Sequence, residues 1–139
     1  MTPVEQILGP RNQLLPRERD IFIRFYAKYG SEFSDWEFAH RFGPPALPTE
    51  GLPESLQYWV DVTARLRADV IARRGTRWYI FEIKPTAKPA AIGQLRAYIS
   101  YWNEEFPGRP LPTPAIICEF VPDYMHAVAA REGVELFVV

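Results

Sequence analysis

Cysteine is almost missing from this chain: Cys118 stands alone among 139 residues. One thiol cannot close a disulfide within a chain, and it cannot supply a cysteine-rich zinc site or a four-cysteine iron–sulfur cluster. A charge excess of either sign is missing as well. The formal net charge is −1, so there is no global basic signature for nucleic acid, and any such binding must rest on a local patch. There is no long apolar run, no signal-like N-terminus, no internal repeat and no low-complexity tract. These absences set the expectation of a soluble, cytoplasmic protein without a membrane partner. Lysine is scarce, with 3 against 13 Arg, and Pro is frequent at 14, a bias that fits a GC-rich or thermophilic source.

What is present is the material of one globular domain. Hydrophobic residues make up 47% and charged residues 24%, enough apolar side chain for a single core and too short a chain for two ordinary ones. Residues 1–15 read as an N-terminal leader divided by Pro10, and residues 16–139 as one domain. Pro16 opens a helix that runs to Tyr29 and stops at Gly30, with Ile21, Phe22, Phe25, Tyr26 and Tyr29 on one stripe. Glu18 lies one turn before Phe22, near the centre of that stripe. It is either a first-turn acid favoured by the helix dipole or a carboxylate aimed at whatever the helix packs on.

Trp36 to Phe42 alternates as a half-buried strand, with Trp36, Phe38, His40 and Phe42 on one side. His40 on that apolar side is expected to be packed and hydrogen-bonded. Gly43 to Pro53 reads as a loop, and residues 57–73 as the first arm of a hairpin. A helix is expected from Pro89 to just before Pro107, with Ile92, Leu95, Ile99, Trp102 and Phe106 as its core stripe. A strand over 115–120, a short helix over 122–132 and a last strand over 134–139 complete the order. Helix, three strands, helix, strand, helix, strand predicts an α/β fold with a mixed central sheet flanked by helices.

The segment from Asp69 to Tyr98 carries the chemistry. Trp78, Tyr79, Ile80 and Phe81 are apolar at every position, so their strand reads as central and covered on both faces. Glu82 and Lys84 follow at its end, on one face, with Ile83 on the other. Charges at the end of a buried strand are costly unless paired or bound. A hairpin loop at Arg74-Gly75, or over 73–76, puts Asp69 opposite Ile80 and Arg67 opposite Glu82. Asp69 then shares the face of Glu82 as a diagonal neighbour at roughly 7–8 Å, and the two can lean onto one divalent cation. On the next helix, Gln94 and Tyr98 are one helical step apart.

Asp69, followed by Glu82-Ile83-Lys84 on the next strand and Gln94-Leu95-Arg96-Ala97-Tyr98 on the following helix, resembles the PD-(D/E)xK nuclease superfamily. The Gln94–Tyr98 spacing is similar to the Q-x-x-x-Y motif of its RecB-like exonuclease branch, and the chain resembles a compact stand-alone, phage-type member. Ala68 stands where the proline of the family name would be. The resemblance implies a restriction-endonuclease-like αβββαβ core and a Mg²⁺- or Mn²⁺-dependent nuclease acting on DNA, with RNA not excluded. It implies that Asp69 and Glu82 ligate metal, with the backbone carbonyl of Ile83 as a further ligand and Glu18 as the candidate helix-borne carboxylate. Lys84 would orient the attacking water, and Gln94 would bond a metal water or the scissile phosphate. Tyr98, Arg67, Arg96 and Lys88 would contact substrate, and Arg65, Arg73, Arg74 and Arg77 would complete a local basic patch. The same residues also fit a non-catalytic nucleic-acid-binding or assembly protein on this fold. A third reading is a dimeric, structure-selective endonuclease of the resolvase type.

Overall fold

The computed structural model describes residues 2–45, 50–57 and 66–139. Among these, five strands form one mixed sheet in the order β1-β2-β3-β4-β5. They are β1 (Ser34–Phe42), β2 (Leu66–Arg74), β3 (Arg77–Thr86), β4 (Thr113–Phe120) and β5 (Glu135–Val138). β1, β2 and β3 are antiparallel in sequence, and β4 and β5 run parallel to β3. The helices are α1 (Pro3–Leu8), α2 (Pro16–Tyr29), α3 (Pro89–Ser100), α4 (Trp102–Glu105) and α5 (Asp123–Arg131). The expected mixed α/β sandwich is the fold.

β3 is the middle strand, as its unbroken apolar run requires. Tyr79, Phe81 and Ile83 face the cluster built on α2 with Phe22, Phe25, Phe33 and Phe137. Ile80 faces the other cluster, built on α3 and α5 with Leu95, Tyr98, Trp102 and Met125. Phe25 is the centre of the first cluster, with ring contacts to Phe81 at 5.4 Å and Phe137 at 5.2 Å.

Four local expectations are corrected. The leader contains a helix: Thr2 caps α1, and its N–H donates to the Glu5 carboxylate at 2.7 Å while Glu5 N–H donates to its hydroxyl. This is the T-x-x-E capping box, a readable signal. Leu8 then buries against the α2 cluster. The long helix after Lys84 breaks at Tyr101, whose ψ of 1° starts a new turn that carries Trp102 inward, where Trp102 Nε1 donates to the Pro110 carbonyl at 3.0 Å. The hairpin turns at Gly75-Thr76, with Ile71 opposite Ile80 and Val70 opposite Phe81. Gly75 takes the first of two loop positions with φ +62°, where a tight hairpin turn demands glycine. Shifting the pairing by two residues leaves every face unchanged. The start of the first hairpin arm, Arg65 and part of the 43–53 loop lie outside the described residues.

The fourth correction concerns β1. Trp36 and Phe38 pack against α2, while Phe42 packs against α3. Ala39 interrupts the alternation with φ +56°, a left-handed backbone that costs a non-glycine residue of order 1–3 kcal/mol. His40 is packed and bonded as expected, with Nδ1 2.6 Å from Glu37 Oε1 and its ring 4.7 Å from that of Phe42.

Candidate active site

The distortion at Ala39 lies beside Asp69. β1 registers on β2 at Phe38–Val70 and His40–Ala68, with no pair recorded between them. The β2–β3 pairs end at Val70–Phe81, so continuing the register places Asp69 directly opposite Glu82 rather than diagonal to it. At this position a side chain replaces the ladder. The Ile83 N–H donates to Asp69 Oδ2 at 2.8 Å, which fixes the carboxylate and satisfies a buried backbone donor.

Glu82 is held from the opposite side. The Tyr98 hydroxyl donates to Glu82 Oε1 at 2.7 Å, and Lys84 Nζ lies 3.7 Å from Glu82 Oε2. Asp69 and Glu82 are 9% and 2% exposed, and they are the only buried charged residues among those described. Burial drives both carboxyls upward. Asp69 is pushed up to about 6, with the charge of Glu18 adding to burial against the Ile83 hydrogen bond. Glu82 is pushed up to about 8 by burial and by the Asp69 charge, against the Tyr98 hydrogen bond and Lys84. With Glu82 raised to about 8, the pair retains a proton near neutral pH. Burial and the Glu82 charge raise the Tyr98 phenol well above its ordinary range, which keeps it a neutral donor.

Two buried carboxylates that repel each other and hold a proton form a site short of positive charge. Their oxygen donors suit a hard cation such as Mg²⁺ or Mn²⁺, which commonly takes one or two carboxylates and fills its remaining positions with water and phosphate oxygen. Ile83 sits between Glu82 and Lys84 on β3, so its backbone carbonyl is a neighbouring oxygen. Among the described residues no cluster of three acidic, His or Cys side chains converges as a metal cage.

The other candidates are placed less uniformly. Glu18 occupies the third position of α2, and its Oε1 accepts the Leu15 N–H at 3.1 Å. It therefore caps the helix while its charge still reaches Asp69. Tyr98 is expected to contact substrate, but it is buried and directs its hydroxyl onto Glu82. Its position on the inner face of α3 leaves no other direction for the ring, which stacks on Phe42 at 5.8 Å. Gln94, one turn earlier, is exposed and has no hydrogen-bond partner among the described residues.

The single basic patch divides. Arg73 pairs with Asp35 at 2.6 Å, Arg74 with Glu32, and Arg96 with the Glu132 carbonyl and carboxylate. Arg73, Arg74 and Arg77 lie at the hairpin tip, at the opposite end of β3 from Lys84. Arg67 donates to Gln13 at 2.7 Å and lowers the Asp69 pKa by its charge. Lys88 is exposed at the N-cap of α3. Arg67, Lys84 and Lys88 thus lie at the carboxylate end, with Arg41 opposite Arg67 and bonded to the same Gln13 oxygen. Sequence reasoning missed the Tyr98–Glu82 bond, although both residues were candidates, and it missed the strained Ala39, for which the sequence carries no signal.

This fold has solved counterparts. A crystallised repair endonuclease from Pyrococcus abyssi superposes with a TM-score of 0.53 at 13% identity, covering 95% of this chain and 50% of the other. A crystallised protein of unknown function superposes with a TM-score of 0.52 at 11% identity, covering 86% of this chain and 55% of the other. The chain thus spans about half the length of these proteins. At such identities the likeness establishes the fold. No family model and no curated protein sequence matches the chain. No helix among the described residues is long and apolar enough to cross a membrane.

Proposed function

We propose that this chain is a divalent-metal-dependent nuclease domain that hydrolyses phosphodiester bonds in DNA. The observation that carries the proposal is the buried Asp69–Glu82 pair, held by Ile83 N–H and Tyr98 and raised toward neutral pKa. Asp69 and Glu82 are the carboxylates that would hold Mg²⁺ or Mn²⁺, with the Ile83 carbonyl beside them. Bound there, the ion would polarise the phosphate and lower the pKa of a coordinated water.

The chain's own groups then have separable tasks. Lys84 presents an ammonium next to Glu82, where it orients the attacking water and offsets charge that grows on the phosphate. Tyr98, buried against Glu82, fixes the orientation of that carboxylate. Glu18 caps α2 and adds negative potential at Asp69. Gln94 is free to reach a phosphate oxygen, with Lys88, Arg67 and Arg96 as backbone contacts. The likeness to a repair endonuclease fold supports the reaction class. The Gln94–Tyr98 spacing supports the finer RecB-like reading, although the inward turn of Tyr98 is not a substrate contact.

The test is incubation with supercoiled, linear and branched DNA in Mg²⁺, Mn²⁺ or EDTA, beside an Asp69→Asn variant. Cleavage that needs metal and disappears in the variant is expected. Metal-dependent DNA binding without cleavage on any substrate would overturn the reading in favour of a non-catalytic binding protein. Sedimentation of the same samples reads the oligomeric state that a resolvase-type dimer would require.

A further inference from the structure

Two exposed aromatic side chains follow each other in the chain where β4 leaves the sheet. Phe120 ends β4 at 60% exposure, and Tyr124, in the first turn of α5, is 56% exposed. β4 pairs with β3 in parallel, with Glu82 opposite Ile116, Lys84 opposite Cys118 and Thr86 opposite Phe120. Residues paired in this way point to the same face of a sheet. Ile116 and Cys118 are buried with Tyr98 on the α3 side, so Phe120 continues that row past the edge of the core. It occupies the face that carries Glu82 and Lys84.

Phe120 is held in place from both sides. The Ala87 N–H donates to its carbonyl at 2.9 Å. Its neighbour Glu119, on the opposite face, accepts from Arg17 and Arg24 of α2 at 2.9 Å each. The strand end is thus anchored while the ring itself is left in solvent. Lys84 precedes it by one register pair, and Lys88 follows Ala87 on the adjacent strand exit.

We infer that Phe120 and Tyr124 form a stacking platform for an unpaired nucleobase beside the carboxylate pair, so that the preferred substrate is DNA with a single-stranded segment at the cleavage point. The inference rests on the nuclease reading of Asp69 and Glu82. Strand spacing puts the Phe120 backbone about 8 Å from that of Lys84, close enough for one bound strand to meet both. Aromatic rings interleaved with cations are the chemistry that holds single strands: bases stack on the rings, and the cations track the phosphates. A base in the interior of a duplex is stacked on both sides and cannot offer its face to a protruding ring. The platform therefore selects overhangs, flaps or single strands over blunt duplex.

The experiment measures fluorescence anisotropy of the full chain in Ca²⁺, with a single-stranded oligonucleotide, a duplex carrying an overhang and a blunt duplex. Phe120→Ala and Tyr124→Ala should each weaken binding of the first two by about 5- to 100-fold and leave blunt duplex within about twofold. Phe120→Trp should restore binding, whereas Phe120→Leu, apolar but unable to stack, should not. Equal losses on all three DNAs would overturn the inference, as would full binding by Phe120→Leu. So would a change in oligomeric state without a change in DNA preference, because the aromatic pair would then be an interface with a second copy. Cleavage in Mn²⁺ separates the two proposals. Phe120-dependent single-strand binding without cleavage keeps the platform and removes the nuclease, and cleavage indifferent to Phe120 does the reverse.

Discussion

Replacing Tyr98 by Phe removes one oxygen and tests the whole arrangement around Glu82. The hydroxyl donates at 2.7 Å to a carboxylate that is 2% exposed, so water cannot substitute for it. The consequence depends on the charge of Glu82. With a divalent cation bound, Glu82 is ionised, and losing a hydrogen bond to a buried charged acceptor costs roughly 1.5–3 kcal/mol. In the metal-free protein near pH 7 Glu82, raised to about 8, keeps a proton, so the loss is that of a neutral bond, about 1 kcal/mol. The difference falls on metal affinity. Tyr98→Phe should therefore weaken Mn²⁺ binding by roughly 2- to 30-fold, from the difference of about 0.5–2 kcal/mol between the two losses. The assay is calorimetric titration of Mn²⁺, beside urea denaturation of both proteins with EDTA and with excess Mn²⁺. In the parent, Mn²⁺ at a hundred times its dissociation constant should add about 2.7 kcal/mol of stability, and the variant should gain less at the same concentration. Unchanged Mn²⁺ affinity, or an equal loss of stability with and without metal, would refute the reasoning.

Lys84→Ala should lower turnover on plasmid DNA by about 10²-fold or more while Mn²⁺ titration stays close to that of the parent; equal cleavage rates would remove Lys84 from the chemistry. Stability of the metal-free protein should fall as pH rises between about 4 and 8, because folded Asp69 and Glu82 keep protons that the unfolded chain releases. Urea midpoints at pH 5 and pH 8 in EDTA measure the loss, and Asp69→Asn should flatten the slope. Phe25→Ala should cost about 3–5 kcal/mol, read as a lower urea midpoint, since the ring is fully buried among Phe22, Phe33, Phe81 and Phe137.

The order of elements was legible because it depends on periodicity, and each element has one dominant period. The run from Trp78 to Phe81 has to be a central strand, since only that position covers both faces. What escaped the sequence were features set by contacts distant along the chain. Ala39 reads as an unremarkable strand residue, yet its left-handed backbone turns Phe42 away from the face of Phe38. The break at Tyr101 is likewise decided by where Trp102 finds its core and its Pro110 acceptor. The α1 capping box, by contrast, was written in Thr2 and Glu5 and could have been read.

The carboxylate pair survived an incorrect register because its placement depends only on parity. Moving the turn to Gly75-Thr76 changed the partner of every residue in β3 and the face of none. It also brought Asp69 from a diagonal position to one directly opposite Glu82, which is why the Asp69 charge raises the Glu82 carboxyl. The arginines had no such protection, since a count of nearby cations says nothing of which end of a strand they occupy. β3 rises about 3.3 Å per residue, so the five steps from Arg77 to Glu82 put the hairpin tip roughly 17 Å away. At that distance, about two Debye lengths at physiological salt, Arg73 and Arg74 act on Asp35 and Glu32 and contribute little to the potential at Glu82. The field that the carboxylates feel is set by Lys84 and Arg67, too little to ionise the pair fully at neutral pH, and a divalent cation is the partner that this shortfall favours.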